Sequence, residues 1–195
     1  MTMKKSARIV PFLLALLIHT LAKAETLQSE LRNTYANVTF LRADVAQEKT
    51  GKYMARPIKS ICQMEWRKGT ITWKTLKPIA SEITIVNGAI TVTDSDGKQN
   101  KVSSNPPEVA ALVRFLEELF AFDITALEKD FSFDSTHRTL TGTVKPSSAL
   151  RFLRSFTLKF DEKLVLNRLE IEDTKGKTTM VFSGVRMEHN PQGKR

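Results

Sequence analysis

The sequence has one cysteine, Cys62, and three histidines in 195 residues. A lone cysteine excludes an internal disulfide, so no covalent staple is expected even in an oxidising compartment. Cys62 alternates with Met64 and Trp66, which reads as a small buried hydrophobe in a strand. A catalytic thiol would need a base and an orienting group. His137 and His189, the two histidines beyond the first 24 residues, stand in no motif that supplies either. Metal-ligand spacings of His, Cys and acid are absent. So are a P-loop, a dinucleotide fingerprint and a nucleophile elbow. Asp94 and Asp96 around Gly97 lack the other ligands of a calcium loop and read as a solvated hairpin turn. Glu117-Glu118 reads as the solvated side of a helix. The expectation is a protein without catalytic residues, metal or cofactor.

Long apolar runs are also missing, with one exception at the N-terminus. Ile9 to Ile18 is apolar apart from Pro11 and His19 follows it. This run is short of the roughly 20 residues that a spanning helix needs. Lys4, Lys5 and Arg8 precede it, and Ala22-Lys23-Ala24 closes it with a small-x-small pattern. The pattern predicts a signal peptide over residues 1–24, cleaved after Ala24, the alternative being an uncleaved anchor. No cysteine lies near that site to accept a lipid. Residues 25–195 then form one domain, exported and free of a tether. The formal net charge of +9 falls to +5 when the leader leaves. The remaining Lys and Arg are scattered, with no basic cluster or aromatic platform, so nucleic acid is not an expected partner.

What is present is mostly β-sheet signal. Leu27, Leu31 and Tyr35 predict a short first helix over Thr26 to Tyr35. The period then drops to two. Leu41, Ala43 and Val45 mark a strand, Cys62, Met64 and Trp66 a second, Ile71 and Trp73 a third. Ile83 and Ile85 face Ile90 and Val92 across Asn87-Gly88, a pair that favours a tight hairpin. Met64 to Val102 thus reads as an antiparallel meander.

One long helix follows Asn105-Pro106-Pro107, with Asn105 as the expected cap. Val109, Leu112, Val113, Leu116, Leu119 and Phe120 make a broad apolar stripe, widened by Phe115 and Phe122. A face this wide needs a large cover such as a curved sheet. A helical turn is expected at Thr125 to Lys129. Strands return at Phe131–Phe133, Leu140–Val144, Phe156–Phe160, Leu169–Ile171 and Val181–Met187, with Ser147–Leu153 either a short helix or a loop. The tail from Asn190 is polar.

The fold class expected is mainly β (α+β). About 9–11 antiparallel strands curl around two or three helices. A strongly curved sheet has a concave side too wide for its own side chains to fill. Met64, Ile71, Trp73, Ile83, Ile85, Leu112, Phe115, Leu116, Leu119 and Phe120 are either its packed core or the lining of an apolar cavity.

The run Arg67-Lys68-Gly69-Thr70-Ile71-Thr72-Trp73, then Pro78, a strand and a Gly hairpin, resembles the LolA family of periplasmic lipoprotein carriers. Trp73 and Pro78 keep the family spacing, and Arg67 and Gly69 match its turn. Lys68 stands where Pro is usual and Thr72 where a basic residue is common. Gln47 is placed like an early Gln of the family. The order of elements agrees over nearly the whole chain after the leader; the motif itself covers some thirty residues. The resemblance implies a half-open β-barrel with a helical lid. It implies a cavity that shields the acyl chains of a lipoprotein or other lipid. It also implies an inner-membrane releasing complex and an outer-membrane receptor as partners, and a monomer as the working form. By the same resemblance Arg67 sits at the cavity mouth and latches the lid by bonding its carbonyls, the alternative being a solvated turn cation. A sensor or adaptor that uses the same barrel for a partner, and a non-catalytic accessory of envelope lipid metabolism, are the other readings.

Overall fold

The computed structural model describes residues 27–190. The expected leader over residues 1–24 and the tail from residue 191 lie outside the described residues. The first described element is a helix over residues 27–35, α1. Its Leu27, Leu31 and Tyr35 are all buried, as their four-residue spacing requires.

Eleven strands follow among the described residues. The first six are β1 (Val38–Gly51), β2 (Ile58–Arg67), β3 (Thr70–Lys77), β4 (Ser81–Val86), β5 (Ala89–Thr93) and β6 (Gln99–Val102). Two helices interrupt, α2 (Pro107–Phe120) and α3 (Ile124–Leu127). The last five strands are β7 (Phe131–Thr136), β8 (Thr139–Val144), β9 (Leu153–Phe160), β10 (Leu166–Asp173) and β11 (Gly176–His189). All pair antiparallel in one sheet ordered β6-β5-β4-β3-β2-β1-β11-β10-β9-β8-β7. Two meanders are thus joined at their outermost chain positions, β1 against β11. β6 and β7 form the two edges and do not pair, so the barrel is half-open. The helices that separate these edges in sequence fill the interior. The expected fold class holds.

The longest strands, β1 and β11, have 14 residues each and exceed the spans read from alternation. Their outer halves carry Thr, Lys and Glu on both faces, so no period marked them. Pairing with each other decides their length: Gln47 faces Met180 and Gly51 faces Gly176. Of the expected Ser147–Leu153 segment, residues 147–152 are a loop and Leu153 opens β9; the loop is braced where the Ser148 hydroxyl donates to Asp130 at 2.6 Å.

The long helix starts differently from the expectation. Asn105 is not its cap. Pro106 holds that position in an extended conformation (φ −61°, ψ 130°), without a capping side chain. A following proline disfavours the helical region for the residue before it. Pro107 therefore pushes the start one step inward and takes the first helical position itself. At the other end Phe122 adopts φ 53°, left-handed for a residue with a side chain. It donates to the Leu119 carbonyl, and Asp123 donates to that of Glu118. Such a backbone costs about 1–2 kcal/mol. The Phe122 ring lies 3.7 Å from that of Tyr35, stacked at 17°, which offsets it. Tyr35 in turn donates to the Leu164 carbonyl at 2.8 Å, so α1, the end of α2 and the β9–β10 turn share one joint.

Candidate functional site

In-register pairs share a face of the sheet. Met64 faces Trp73, Trp73 faces Ile83 and Ile83 faces Val92. Trp66, Ile71, Ile85, Ile90 and Val102 form the next such row. Both rows lie on the concave face and run from the centre of the sheet to its β6 edge.

Helix α2 meets this face with two stripes. Ala111, Phe115 and Leu119 are buried and lie one turn apart. Phe115 packs on Phe131 (5.2 Å) and Phe156 (5.5 Å), on the β7–β9 side. Leu112, Leu116 and Phe120 form the neighbouring stripe. Phe120 reaches Trp73, with ring centroids 6.4 Å apart. The first stripe is fully covered. The second is covered at Phe120 but only half-buried at Leu112 and Leu116.

The ten residues singled out from the sequence therefore divide. Met64, Ile71, Ile85, Phe115, Leu119 and Phe120 are packed core, with Met64 0% and Phe115 2% exposed. Trp73, Ile83, Leu112 and Leu116 remain partly open. Ile83 is 38% exposed, and Val102 in the edge strand is 41% exposed. The apolar surface between α2 and the β3–β6 limb is thus incompletely covered. Water contact there forgoes about 25 cal/mol for each Å² of apolar area left uncovered.

The lower end of this cleft is closed by polar contacts. The Gly88 N–H, in the Asn87–Gly88 hairpin turn, donates to Glu117 Oε1 at 3.0 Å. Beside it lies a pocket of about 310 Å³ lined by Trp66, Gly69, Asn87, Glu117, Glu118 and Asp123 among others. Glu117 and Glu118 are half-buried here and do not form the solvated helix side expected from the sequence. Burial holds the Glu118 carboxyl above its ordinary range, against the opposing pull of Arg114 3.8 Å away. Arg114 also donates to Asp130 at 2.8 Å, and Asp130 is tied to Ser148. The polar side of α2 is thus tied at Arg114 to Asp130 and through it to the β8–β9 loop, and one turn on at Glu117 to the β4–β5 hairpin. No sequence signal marked Glu117: its pairing with a backbone amide 29 residues away is a tertiary event.

Arg67 is placed on the opposite face of the sheet from Trp66. Its guanidinium donates to Glu65 at 3.0 Å and lies 4.2 Å from the Phe40 ring centre. Its contacts are with these two side chains and not with carbonyls of the helices. Cys62 is buried on the concave face, and that burial pushes its thiol up from the ordinary value.

No protein family's sequence profile matches the chain, and no curated protein matches it. Among solved structures it is similar to a LolA superfamily protein from Nitrosomonas europaea. That match has 12% identity and a TM-score of 0.41, over 78% of this chain and 88% of that one. The lipoprotein LppX of Mycobacterium tuberculosis is similar at 15% identity and a TM-score of 0.46, over 85% and 98% of the two chains. A protein in the MucA/MucB complex of Pseudomonas aeruginosa is similar at 12% identity and a TM-score of 0.46. That match covers 85% of this chain and 58% of the other.

Proposed function

We propose that this protein is a periplasmic carrier that shields the acyl chains of a lipoprotein or other lipid and moves them toward the outer membrane. The observation that carries this reading is the uncovered apolar strip between α2 and the β3–β6 limb, where Trp73, Ile83, Leu112 and Leu116 stay half-open. An acyl chain laid along it would cover these side chains. Each methylene so buried contributes about 0.8 kcal/mol. The deeper residues, Met64 and Phe115 among them, would be reached only if α2 moved outward on its Gly88 and Asp130 contacts. The expected leader with its small-residue site supports export. The resemblance of the Arg67 to Pro78 run to the LolA family supports lipoprotein as the cargo.

The test is to purify the exported protein, extract it with organic solvent and identify bound lipids by mass spectrometry. A photoreactive fatty acid then maps the contact. Labelling at Trp73, Ile83, Leu112 or Leu116 is the expected result. An empty extract together with labelling no greater than that of an unrelated protein would overturn the reading.

A second reading, a sensor or adaptor for a protein partner, is favoured by the edge strand β6. All four of its residues are exposed, and a free edge accepts an added strand. A stable complex recovered from envelope extract, with no lipid transfer between membranes, would favour it.

A further inference from the structure

The geometry points to a second lipid contact, outside the interior: the end of the sheet formed by the β1–β2 and β3–β4 turns docks on an anionic bilayer. This is the end opposite to the Glu117–Gly88 contact. β1 reaches it at Gly51 and β2 leaves it at Ile58. The Ile61–Lys77 pair brings the end of β3 to the same level, and Lys52 N–H bonds the Lys175 carbonyl at 3.0 Å, bringing the β10–β11 turn alongside.

Large apolar side chains stand in water at this end. Tyr53 is 87% exposed, Ile79 71% and Ile58 50%. Tyr53 and Ile79 are the two most exposed large hydrophobics among the described residues. Singly exposed apolar residues are ordinary, but three on adjoining turns form a patch. Tyrosine with flanking cations is also the composition of a membrane interface.

The charge around the patch has one predominant sign. Lys52, Arg56 and Lys77 are exposed and make no ion pair within the described residues. Lys52 lies 5.9 Å from the Tyr53 ring centre. The turns over residues 52–57 and 78–80 hold no acid; the acids nearest them lie on the adjoining strands and turns. Glu48 faces Lys59 at 3.6 Å, and the Asp173 carboxylate accepts from the N–H groups of Lys175 and Gly176. Asp94, in the β5–β6 turn, accepts from the N–H groups of Asp96 and Lys98. Apolar side chains with uncompensated cations beside them fit anionic headgroups over an apolar layer. This inference does not rest on what the interior holds, so an empty lipid extract leaves it untouched.

The experiment floats the full chain with two kinds of vesicle. One contains phosphatidylglycerol and phosphatidylethanolamine, the other phosphatidylcholine alone. The wild type should float with the first and stay behind with the second, and added salt should release it. Reversing Lys52 and Arg56 to Glu should weaken binding at least about tenfold, since each basic residue at such a surface is worth about fivefold. Tyr53→Ser with Ile79→Ser should also weaken it. Both pairs are exposed, so the unfolding midpoint should stay in place. Tyr53→Cys offers a further readout, because Cys62 is buried and an environment-sensitive dye would attach at position 53. Its emission should shift to the blue on the anionic vesicles only. Three results would overturn the inference. These are equal binding to both vesicles, unchanged binding of the variants, or a dimer abolished by Tyr53→Ser in a protein that binds no vesicle.

Discussion

Glu117 of α2 accepts a hydrogen bond from the backbone N–H of Gly88, 3.0 Å away in the β4–β5 turn. It joins the helix in the barrel to the outer limb of the sheet. Otherwise the limb meets α2 through apolar side chains, Trp73 against the buried Phe120 among them. Removing the acceptor should loosen the limb more than the rest of the fold. Glu117→Ala is expected to lower unfolding stability by about 1–2 kcal/mol. The Gly88 amide should exchange faster with solvent, while amides of β1 and β11 keep their protection. Unchanged Gly88 exchange would show that the bond does not hold the limb.

Trp73 and Phe115 should differ in cost although both are aromatic residues on the interior. Phe115 is buried among Phe131 and Phe156, so Phe115→Ala should cost about 3–5 kcal/mol. Trp73 is half-buried, and Trp73→Ala should fall below that range, near 2 kcal/mol. Denaturant melts of both variants make the comparison. If lipid occupies the open strip, Trp73→Ala should also weaken its retention.

Arg67→Leu should leave folding nearly intact. The side chain is 59% exposed and its partner Glu65 36% exposed, so the ion pair contributes at most about 1 kcal/mol. The Phe40 contact is retained in part by the leucine. A thermal melt checks this. A latch role would instead appear as faster release of a fluorescent fatty acid with an unchanged melting temperature.

Acid should weaken the fold partly through Glu170. Lys177 and Arg168 each lie 2.6 Å from its carboxylate. The Lys177 hydrogen bond, then that of Arg168, hold its pKa below the ordinary 4.5 despite partial burial. A carboxylate lowered in the folded state adds stability that is fully present above the unfolded value of about 4.5 and is lost as pH falls from there through the lower folded-state value. Glu118, raised by burial, acts oppositely and favours the fold more as it protonates. Glu170→Gln should therefore flatten the acid side of the stability–pH curve and cost about 1 kcal/mol at neutral pH. Glu118→Gln should steepen it.

Alternation made the inner strands readable. Leu41, Ala43 and Val45, or Phe156, Leu158 and Phe160, have one buried face and one wet face, and the period of two reports this directly. The outer parts of β1 and β11 carry no readable period, because both faces there are partly solvated and pairing with neighbouring strands sets their length. Asn105 is a good cap in isolation, but Pro107 restricts Pro106 and moves the helix boundary. Of the candidate interior residues, their common face was legible from periodicity. Which of them stay open was not, since coverage depends on where α2 comes to lie.

The sequence alone determined the elements, their faces and the antiparallel, helix-filled architecture. These follow from local periodicity and turn chemistry, which act between residues a few positions apart. The tertiary structure decided the rest. It set Arg67 against Glu65 and Phe40, brought Glu117 to Gly88, and left Trp73, Ile83, Leu112 and Leu116 half-covered beside an open edge. Each of these depends on contacts between distant segments, and their strength is fixed by packing that no local pattern encodes.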